Sequence, residues 1–202
     1  MIEISHVIRS LDDIKNCIHL FAPYYVPENQ SILITIYTHW NTPETIREMT
    51  RLFCDAFPEA EIAGMTTAGG IDHGRMRLHQ TIVTIQCFEK GDVHTAIYDF
   101  SKEPLKNVGE KALCFCRKET SLSAVLLFMT QRYYDFEPFL TALDKLGKDI
   151  PICGGYACTY RNEEGIYVFT KDAILSRGIL LVTFSGDVKV MTTSVMGWQP
   201  LG

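Results

Sequence analysis

No stretch of the 202-residue chain approaches eighteen consecutive apolar residues, so we expect no segment that crosses a bilayer. The first fifteen residues include Glu3, Asp12 and Asp13 and have no extended apolar centre, so we expect no secretory leader. Basic residues are outnumbered: 19 Lys and Arg stand against 24 Asp and Glu, for a formal net charge of −5. Because nucleic acids and anionic membranes bind surfaces with surplus basic side chains, we expect neither as a partner. We predict a cytoplasmic protein.

Sequence motifs of common catalytic and metal sites are absent as well. The seven cysteines form no CxxC pair, the six histidines show no HExxH or HxH spacing, and no GxxxxGK[ST], GxGxxG or GxSxG occurs. A zinc knot, a dithiol redox centre, a phosphate loop and a serine nucleophile are therefore not expected. The acidic pairs Asp12-Asp13 and Glu163-Glu164 lie in polar surroundings that give their pKa values no reason to shift. We expect a non-enzymatic protein with reduced, structural thiols and no metal.

The spacing of apolar residues predicts an alternation of helices and strands. Helical spacing predicts helices over residues 10–21, 42–57, 104–118 and 136–146. Runs rich in β-branched residues predict strands over residues 32–39, 61–67, 81–89, 92–100, 124–131, 151–159, 164–172, 177–186 and 187–195. Lys90-Gly91 predicts a tight hairpin between the third and fourth strands, and Gly186-Asp187 predicts a second hairpin.

The order of elements repeats along the chain. Matching points lie 92 residues apart at Thr38 and Thr130, 90 apart at Gly64 and Gly154, and 95 apart at the two predicted hairpins. Nearly constant offsets indicate an internally duplicated β-α-β-β-β unit. We predict an α/β fold, a layered sandwich of mixed β-sheets backed by helices. Residues 1–202 would form one domain, with halves at about 31–119 and 124–202 and a helical N-terminal extension over 1–30.

The segment GMTTAGGIDHGR, residues 64–75, has the composition of a ligand-binding loop. Glycines expose backbone amides, threonines supply hydroxyls, and histidine or arginine can bind an anion. The candidate ligand-binding residues here are Thr66, Thr67, Gly69, Gly70, His73 and Arg75. The alternative is a tight loop whose glycines only satisfy backbone geometry.

The matching segment of the second half is CGGYAC, residues 153–158. Repeats related by a twofold axis bring equivalent loops together, so both glycine segments are expected to line one cleft. Gly154, Gly155 and Tyr156 are the candidates from this half.

A haem site is an alternative, because a haem iron needs only one proximal histidine. His73 is the first candidate ligand. His39 is the second, since it ends a predicted strand beside Trp40, where pocket residues tend to lie.

Four motifs together resemble the N-terminal half of a FIST domain, from about Ile32 to Gly202. The motifs are GMTTAGG, PICGGYA, YVFTKDAILSRGILLVTFSGDVKV and the final GWQPLG. Two positions depart from the family pattern. Met65-Thr66-Thr67 stands where Cys-Ser or Cys-Thr is more frequent, and Ala173 stands where glycine is commoner.

The resemblance implies a sensory input domain of bacterial signal transduction that binds small ligands such as amino acids. Such domains continue into a FIST C-terminal half and join output modules such as a GGDEF-type diguanylate cyclase, so we expect the chain to be part of a longer protein. Some similar proteins bind haem and respond to nitric oxide, and eukaryotic relatives occur in F-box proteins.

We therefore expect a domain that binds a small polar ligand and needs no cofactor. A haem-binding nitric-oxide sensor and a protein-interaction scaffold that binds no metabolite are the alternatives. A homodimer is left open.

Overall fold

The computed structural model describes residues 1–26, 30–130, 134–160 and 165–193. The α-helices of these residues are α1 (Leu11–Phe21), α2 (Pro43–Ala56), α3 (Leu105–Cys116) and α4 (Glu137–Leu143). The strands are β1 (Ile2–Ile8), β2 (Ser31–Thr38), β3 (Glu61–Thr66), β4 (Gly69–Asp72), β5 (Arg75–Leu78), β6 (Thr81–Phe88), β7 (Gly91–Asp99), β8 (Leu122–Met129), β9 (Ile152–Tyr156), β10 (Val168–Phe169), β11 (Ile174–Leu175) and β12 (Gly178–Gly186). The 3₁₀ turns Ala22–Tyr24 and Asp144–Leu146 continue α1 and α4.

The strands form two large mixed sheets and one small hairpin. The first sheet has the order β1-β6-β2-β3-β10-β11, and the second has the order β7-β12-β8-β9. The β2–β3 and β8–β9 pairs are parallel, and the other pairs are antiparallel. The hairpin β4–β5 pairs with no strand of either large sheet.

Strand alternation sorts the apolar side chains into layers. In β2, Ile34 and Ile36 pack against α1 and α2, while Leu33 faces the second sheet. In β12, Ile179 packs with α3 and α4, while Leu180 faces the first sheet. The fold therefore has four layers in the order helices, first sheet, second sheet and helices, which confirms the predicted α/β layered sandwich.

The strand orders also show the internal duplication. The order β1-β6-β2-β3 of the first sheet and the order β7-β12-β8-β9 of the second have the same directions. Each repeat therefore begins one strand and one helix earlier than predicted, at β1 and at β7. The N-terminal residues are more than a helical extension, because β1 pairs with β6 along its whole length.

The predicted hairpin at Lys90-Gly91 is wrong. The strands on either side, β6 and β7, belong to different sheets, and Gly91 pairs with Gly186 of β12. The chain crosses between the layers here, and the Asp187 amide donates to the Lys90 carbonyl at 3.1 Å. A local turn signal specifies a change of direction but not the sheet that the chain enters next.

Three further differences concern loops and strands. Residues 187–193, the described part of the strand predicted over 187–195, form no strand. Of the described residues in the run 164–172, only Val168–Phe169 form a strand. The glycine-rich turn predicted after β3 contains the hairpin β4–β5. Gln131, Glu164 and the GWQPLG motif lie outside the described residues.

The seven cysteines all lie in the described residues, and all are free. Burial raises the pKa of the Cys17 and Cys116 thiols to about 11, so both stay protonated at neutral pH. Cys17, Cys87 and Cys116 lie in the apolar core, while Cys114 is exposed, so the structural role of all seven cysteines stays a prediction.

No helix in the described part of the chain is long and apolar enough to cross a membrane.

We expect Gly64→Ala to lower the free energy of unfolding by about 1–3 kcal/mol, because an added Cβ would lie 2.1 Å from the Phe169 ring. Gly155 is also a strand glycine, in β9, and none of the described residues lies within 4 Å of a Cβ placed there. Gly155→Ala is thus the matched control, with an expected change within about 0.5 kcal/mol. Urea unfolding at low protein concentration measures both. Equal effects of the two substitutions would contradict this packing.

Candidate functional site

The carboxyl ends of β2 and β3 lie side by side. The strands are parallel, and Thr38 pairs with Thr66 at the last position of the register. His39 and Asn41 follow β2, and Thr67 follows β3. In α/β sheets this edge is where ligands commonly bind, because loops from adjacent strands converge there.

The second repeat supplies the facing wall. The chain leaving β9 reaches this edge, where the Cys158 amide donates to the Thr66 carbonyl at 3.0 Å. The next two residues, Thr159 and Tyr160, line a cavity together with His39 and Thr67. We call it the junction cavity. Its volume is about 320 Å³, and it is lined by His39, Asn41, Thr67, Ala68, His79, Thr159 and Tyr160.

His39 is oriented by a chain of threonine hydroxyls. Its Nδ1 lies 3.1 Å from the Thr81 Oγ1, which lies 2.9 Å from the Thr38 Oγ1. The Thr38 Oγ1 also accepts the Trp40 amide at 3.0 Å. These bonds connect β2 and β6 and hold the imidazole at the cavity wall.

Burial lowers the pKa of His39 below its ordinary value of 6.5, and the nearby His79 lowers it further. The imidazole is therefore neutral at pH 7. A neutral ring has one nitrogen that donates and one that accepts, and because Nδ1 is bonded to Thr81, Nε2 is the nitrogen left to a ligand, as donor or acceptor according to the tautomer.

His79 reaches the cavity through an unusual backbone conformation. It has φ +53°, and its amide donates to the Ala68 carbonyl at 3.2 Å. Its ring meets the Tyr160 ring edge to face, with centroids 4.3 Å apart. Positive φ is uncommon for histidine, and such conformations concentrate at functional sites.

Thr67 is fixed by its own turn. Its amide donates to the Thr38 carbonyl at 2.7 Å, and its hydroxyl donates to the Gly69 carbonyl at 2.6 Å. The turn between β3 and β4 thus places Thr67 and Ala68 in the lining of the cavity.

Asn41 packs against the second repeat. Gly165 has φ +74°, and a Cβ there would lie 2.7 Å from the Asn41 Nδ2. Only glycine combines this backbone conformation with so close an approach.

Of the predicted ligand-binding residues, Thr67 lines the junction cavity. Thr66 is fully buried and bonded to Tyr167, whose carbonyl accepts the Thr66 amide at 2.9 Å. Gly69 and Gly70 lie in β4 and pair with Leu78 and Arg77. The structure therefore brings the first glycine segment to the cavity at Thr67 and Ala68.

His73 and Arg75 lie at the far end of the hairpin β4–β5. The His73 side chain is 81% exposed, and its Nε2 lies 3.8 Å from the Asp72 Oδ1. Arg75 is also exposed. Neither residue is among those that line the junction cavity.

Gly154, Gly155 and Tyr156 lie in β9, the end strand of the second sheet. Gly154 has φ +152°, and a Cβ there would meet the Leu127 carbonyl oxygen at 1.9 Å, so glycine is needed for pairing with β8. Tyr156 contacts Phe136, with ring centroids 5.8 Å apart. The residues of this half that line the cavity are instead Thr159 and Tyr160.

Sequence reasoning missed Asn41, His79, Thr159 and Tyr160. His79 and Asn41 each adjoin a predicted strand or helix, and polar residues at such ends were the available signal. Thr159 and Tyr160 carried no signal of their own, because their contact with the first repeat depends on tertiary structure.

A haem does not fit the described residues. Most of the described residues that line the junction cavity are polar, and Tyr160 is the one aromatic residue among them besides the histidines, whereas a haem packs between apolar walls. His73 stands exposed at a hairpin tip without apolar walls. No cluster of three or more His, Cys, Asp or Glu in the described ranges could hold a metal ion. The geometry gives the haem alternative no support.

Comparison with known families gives a match over most of the chain. The model of the FIST N domain matches residues 33–202. No curated protein matches the chain.

We expect stability to fall as pH drops below about 6.5, partly through His39. The unfolded chain protonates this imidazole at a higher pH than the folded protein does, so the unfolded state binds more protons there. His39→Asn, whose amide still reaches Thr81, should remove that part of the pH dependence. Urea unfolding at pH 7.5 and 5.5 measures it, with His19→Asn on the exposed face of α1 as control. Identical losses in the wild type and in His39→Asn would contradict the assignment.

Proposed function

Because the chain belongs to the FIST N domain family, a family of signal-transduction sensors and not of catalysts, we propose that it binds a small polar ligand in the junction cavity. The observation that carries the proposal is that both repeats line this one cavity: His39, Asn41, Thr67 and His79 come from the first, and Tyr160 from the second. A ligand there contacts both halves at once.

The lining defines the chemistry of the ligand. Two imidazoles, one amide and two threonine hydroxyls supply hydrogen-bond donors and acceptors, and none of the lining residues that the structure describes is Lys, Arg, Asp or Glu. The volume of about 320 Å³ is at the lower end of the range for small-molecule sites. An amino acid or another small carboxylic acid suits these walls, with hydroxyls and the Asn41 amide donating to the carboxylate.

Sensing requires the ligand to favour one arrangement of the repeats over another. A ligand with equal affinity for both arrangements shifts nothing. The Tyr160 ring of the second repeat contacts the His79 ring of the first. A ligand that binds beside these rings therefore changes the contact between the two repeats. An output module, such as a diguanylate cyclase joined through a FIST C-terminal half in a bacterial protein, would read this change.

A protein-interaction role is the second candidate. The observation that favours it is the outward apolar face of the hairpin β4–β5, where Ile71 and Met76 are exposed. The two roles are compatible, because the hairpin and the junction cavity use different side chains.

The ligand is sought by thermal-shift screening of amino acids and small carboxylic acids at millimolar concentration, followed by calorimetry. His79→Asn should weaken binding about tenfold, because it removes the imidazole and the ring contact with Tyr160, a loss of about 1.4 kcal/mol. Asparagine tolerates the positive φ of this position, so the backbone is preserved.

The matched control is His73→Asn, since His73 also has positive φ, +46°, but lies outside the lining. We expect its affinity to stay within about twofold of wild type. A panel that gives no stabilisation, or a His73→Asn loss equal to that of His79→Asn, would count against the junction cavity and leave the interaction role.

A further inference from the structure

The His39 imidazole ends a short chain of hydrogen bonds that begins at a backbone amide. The Trp40 amide donates to the Thr38 Oγ1 at 3.0 Å. The Thr38 Oγ1 lies 2.9 Å from the Thr81 Oγ1, and the Thr81 Oγ1 lies 3.1 Å from the His39 Nδ1. Both threonines are completely buried, so each hydroxyl proton needs a neighbouring group of the protein as its acceptor.

The backbone amide sets the direction of the first two bonds. An amide N–H can only donate, so the Thr38 Oγ1 accepts from Trp40. The proton of the Thr38 hydroxyl then needs an acceptor of its own. Within the described residues, this hydroxyl makes one other hydrogen bond, to the Thr81 Oγ1. The Thr38 hydroxyl is therefore expected to donate to Thr81.

The same reasoning sets the direction of the bond to the imidazole. The Thr81 Oγ1 receives the Thr38 proton, so Thr81 directs its own proton to its other partner, the His39 Nδ1. A nitrogen that accepts this bond carries no proton. Burial and the nearby His79 lower the pKa of His39, so the ring is neutral at pH 7 and has one N–H. That proton is then on Nε2.

The opposite tautomer leaves a buried proton without an acceptor. With its proton on Nδ1, His39 would donate to the Thr81 Oγ1, and Thr81 would donate to Thr38. The Thr38 Oγ1 would accept from both Thr81 and the Trp40 amide, and its own proton would have no partner among the described residues. An unpaired buried donor is costly, so the network selects the Nε2–H tautomer.

We propose that Thr81, supported by Thr38, is a positioning residue that holds His39 as the Nε2–H tautomer, and that a ligand of the junction cavity presents an oxygen acceptor, such as a carboxylate, to this N–H. The second part rests on the proposed function. A donor that is fixed before the ligand arrives favours an acceptor and disfavours an ammonium group at this wall. The carboxylate of an amino acid, and not its amine, would thus bind beside His39.

NMR of the full chain labelled with ¹⁵N-histidine, at pH 7.5, tests the tautomer. A ring nitrogen that carries a proton resonates far upfield of one that does not, and a ring that exchanges between tautomers gives averaged shifts. We expect the His39 Nε2 at the limiting shift of a protonated nitrogen and Nδ1 at that of a bare nitrogen. A proton on Nδ1, or averaged shifts, overturns the proposal.

Thr81→Val tests the positioning role, because it removes the hydroxyl and keeps the shape of the side chain. The His39 shifts should move toward averaged values. Thr84→Val is the matched control, since Thr84 lies in the same strand opposite Ser5 and Thr35, and it should leave the His39 shifts unchanged. Limiting shifts that persist in a folded Thr81→Val contradict the role of Thr81. The wild-type spectrum decides the tautomer even where this variant does not fold.

Acetate and ethylammonium, an anion and a cation of similar size, test the acceptor. Millimolar acetate should shift the His39 Nε2 and its proton, and ethylammonium should not. A shift from ethylammonium alone overturns the acceptor assignment, as does an unmoved Nε2 signal with an acid that stabilises the protein in the thermal-shift screen. A screen without any stabilising compound would end the proposed function and the acceptor assignment together. The tautomer is decided without a ligand, so the two failures are distinguishable.

Discussion

The two repeats are joined at Thr66, and the candidate site depends on that junction. The Tyr167 carbonyl accepts the Thr66 amide at 2.9 Å, and the Tyr167 amide donates to the Thr66 hydroxyl at 2.9 Å. On the other side, the Cys158 amide donates to the Thr66 carbonyl at 3.0 Å. One buried residue of the first repeat is thus bonded to two segments of the second. These bonds hold the segment that contributes Thr159 and Tyr160 to the lining of the junction cavity.

The repeats share a scaffold but end differently, and the difference explains where the cavity lies. Thr38 bonds to Thr81 at the start of β6, and Thr130, which follows β8, accepts the Gly178 amide at the start of β12. Beyond Thr130, Arg177 stacks on the Tyr134 and Phe100 rings, with its guanidinium carbon 5.1 and 5.6 Å from the ring centroids. The chain's own side chains therefore occupy that end of the second repeat. At the corresponding end of the first repeat, polar groups line open space.

The sequence predicted what local patterns determine. The β-branched run of β2, the helix predicted over 42–57 and the glycine-rich segment after β3 led to the correct fold class. Thr67, predicted to bind the ligand, and His39, predicted as a haem ligand, both line the junction cavity, and their roles stay predictions. The sequence could not reveal which strands share a sheet, so the turn at Lys90-Gly91 was assigned to a hairpin. Tyr160 approaches His79 only because β10 crosses onto β3, and no local pattern encodes a contact of that kind.

The central claim is that the two repeats form one cooperative unit held at Thr66. Amide hydrogen exchange followed by NMR tests it directly at the Thr66, Tyr167 and Cys158 amides. If the claim is correct, these amides open only with global unfolding, with free energies within about 1 kcal/mol of that of the Ile34 amide in the core of β2. Fast exchange at all three while Ile34 stays protected would show that the repeats separate independently, and would contradict the account.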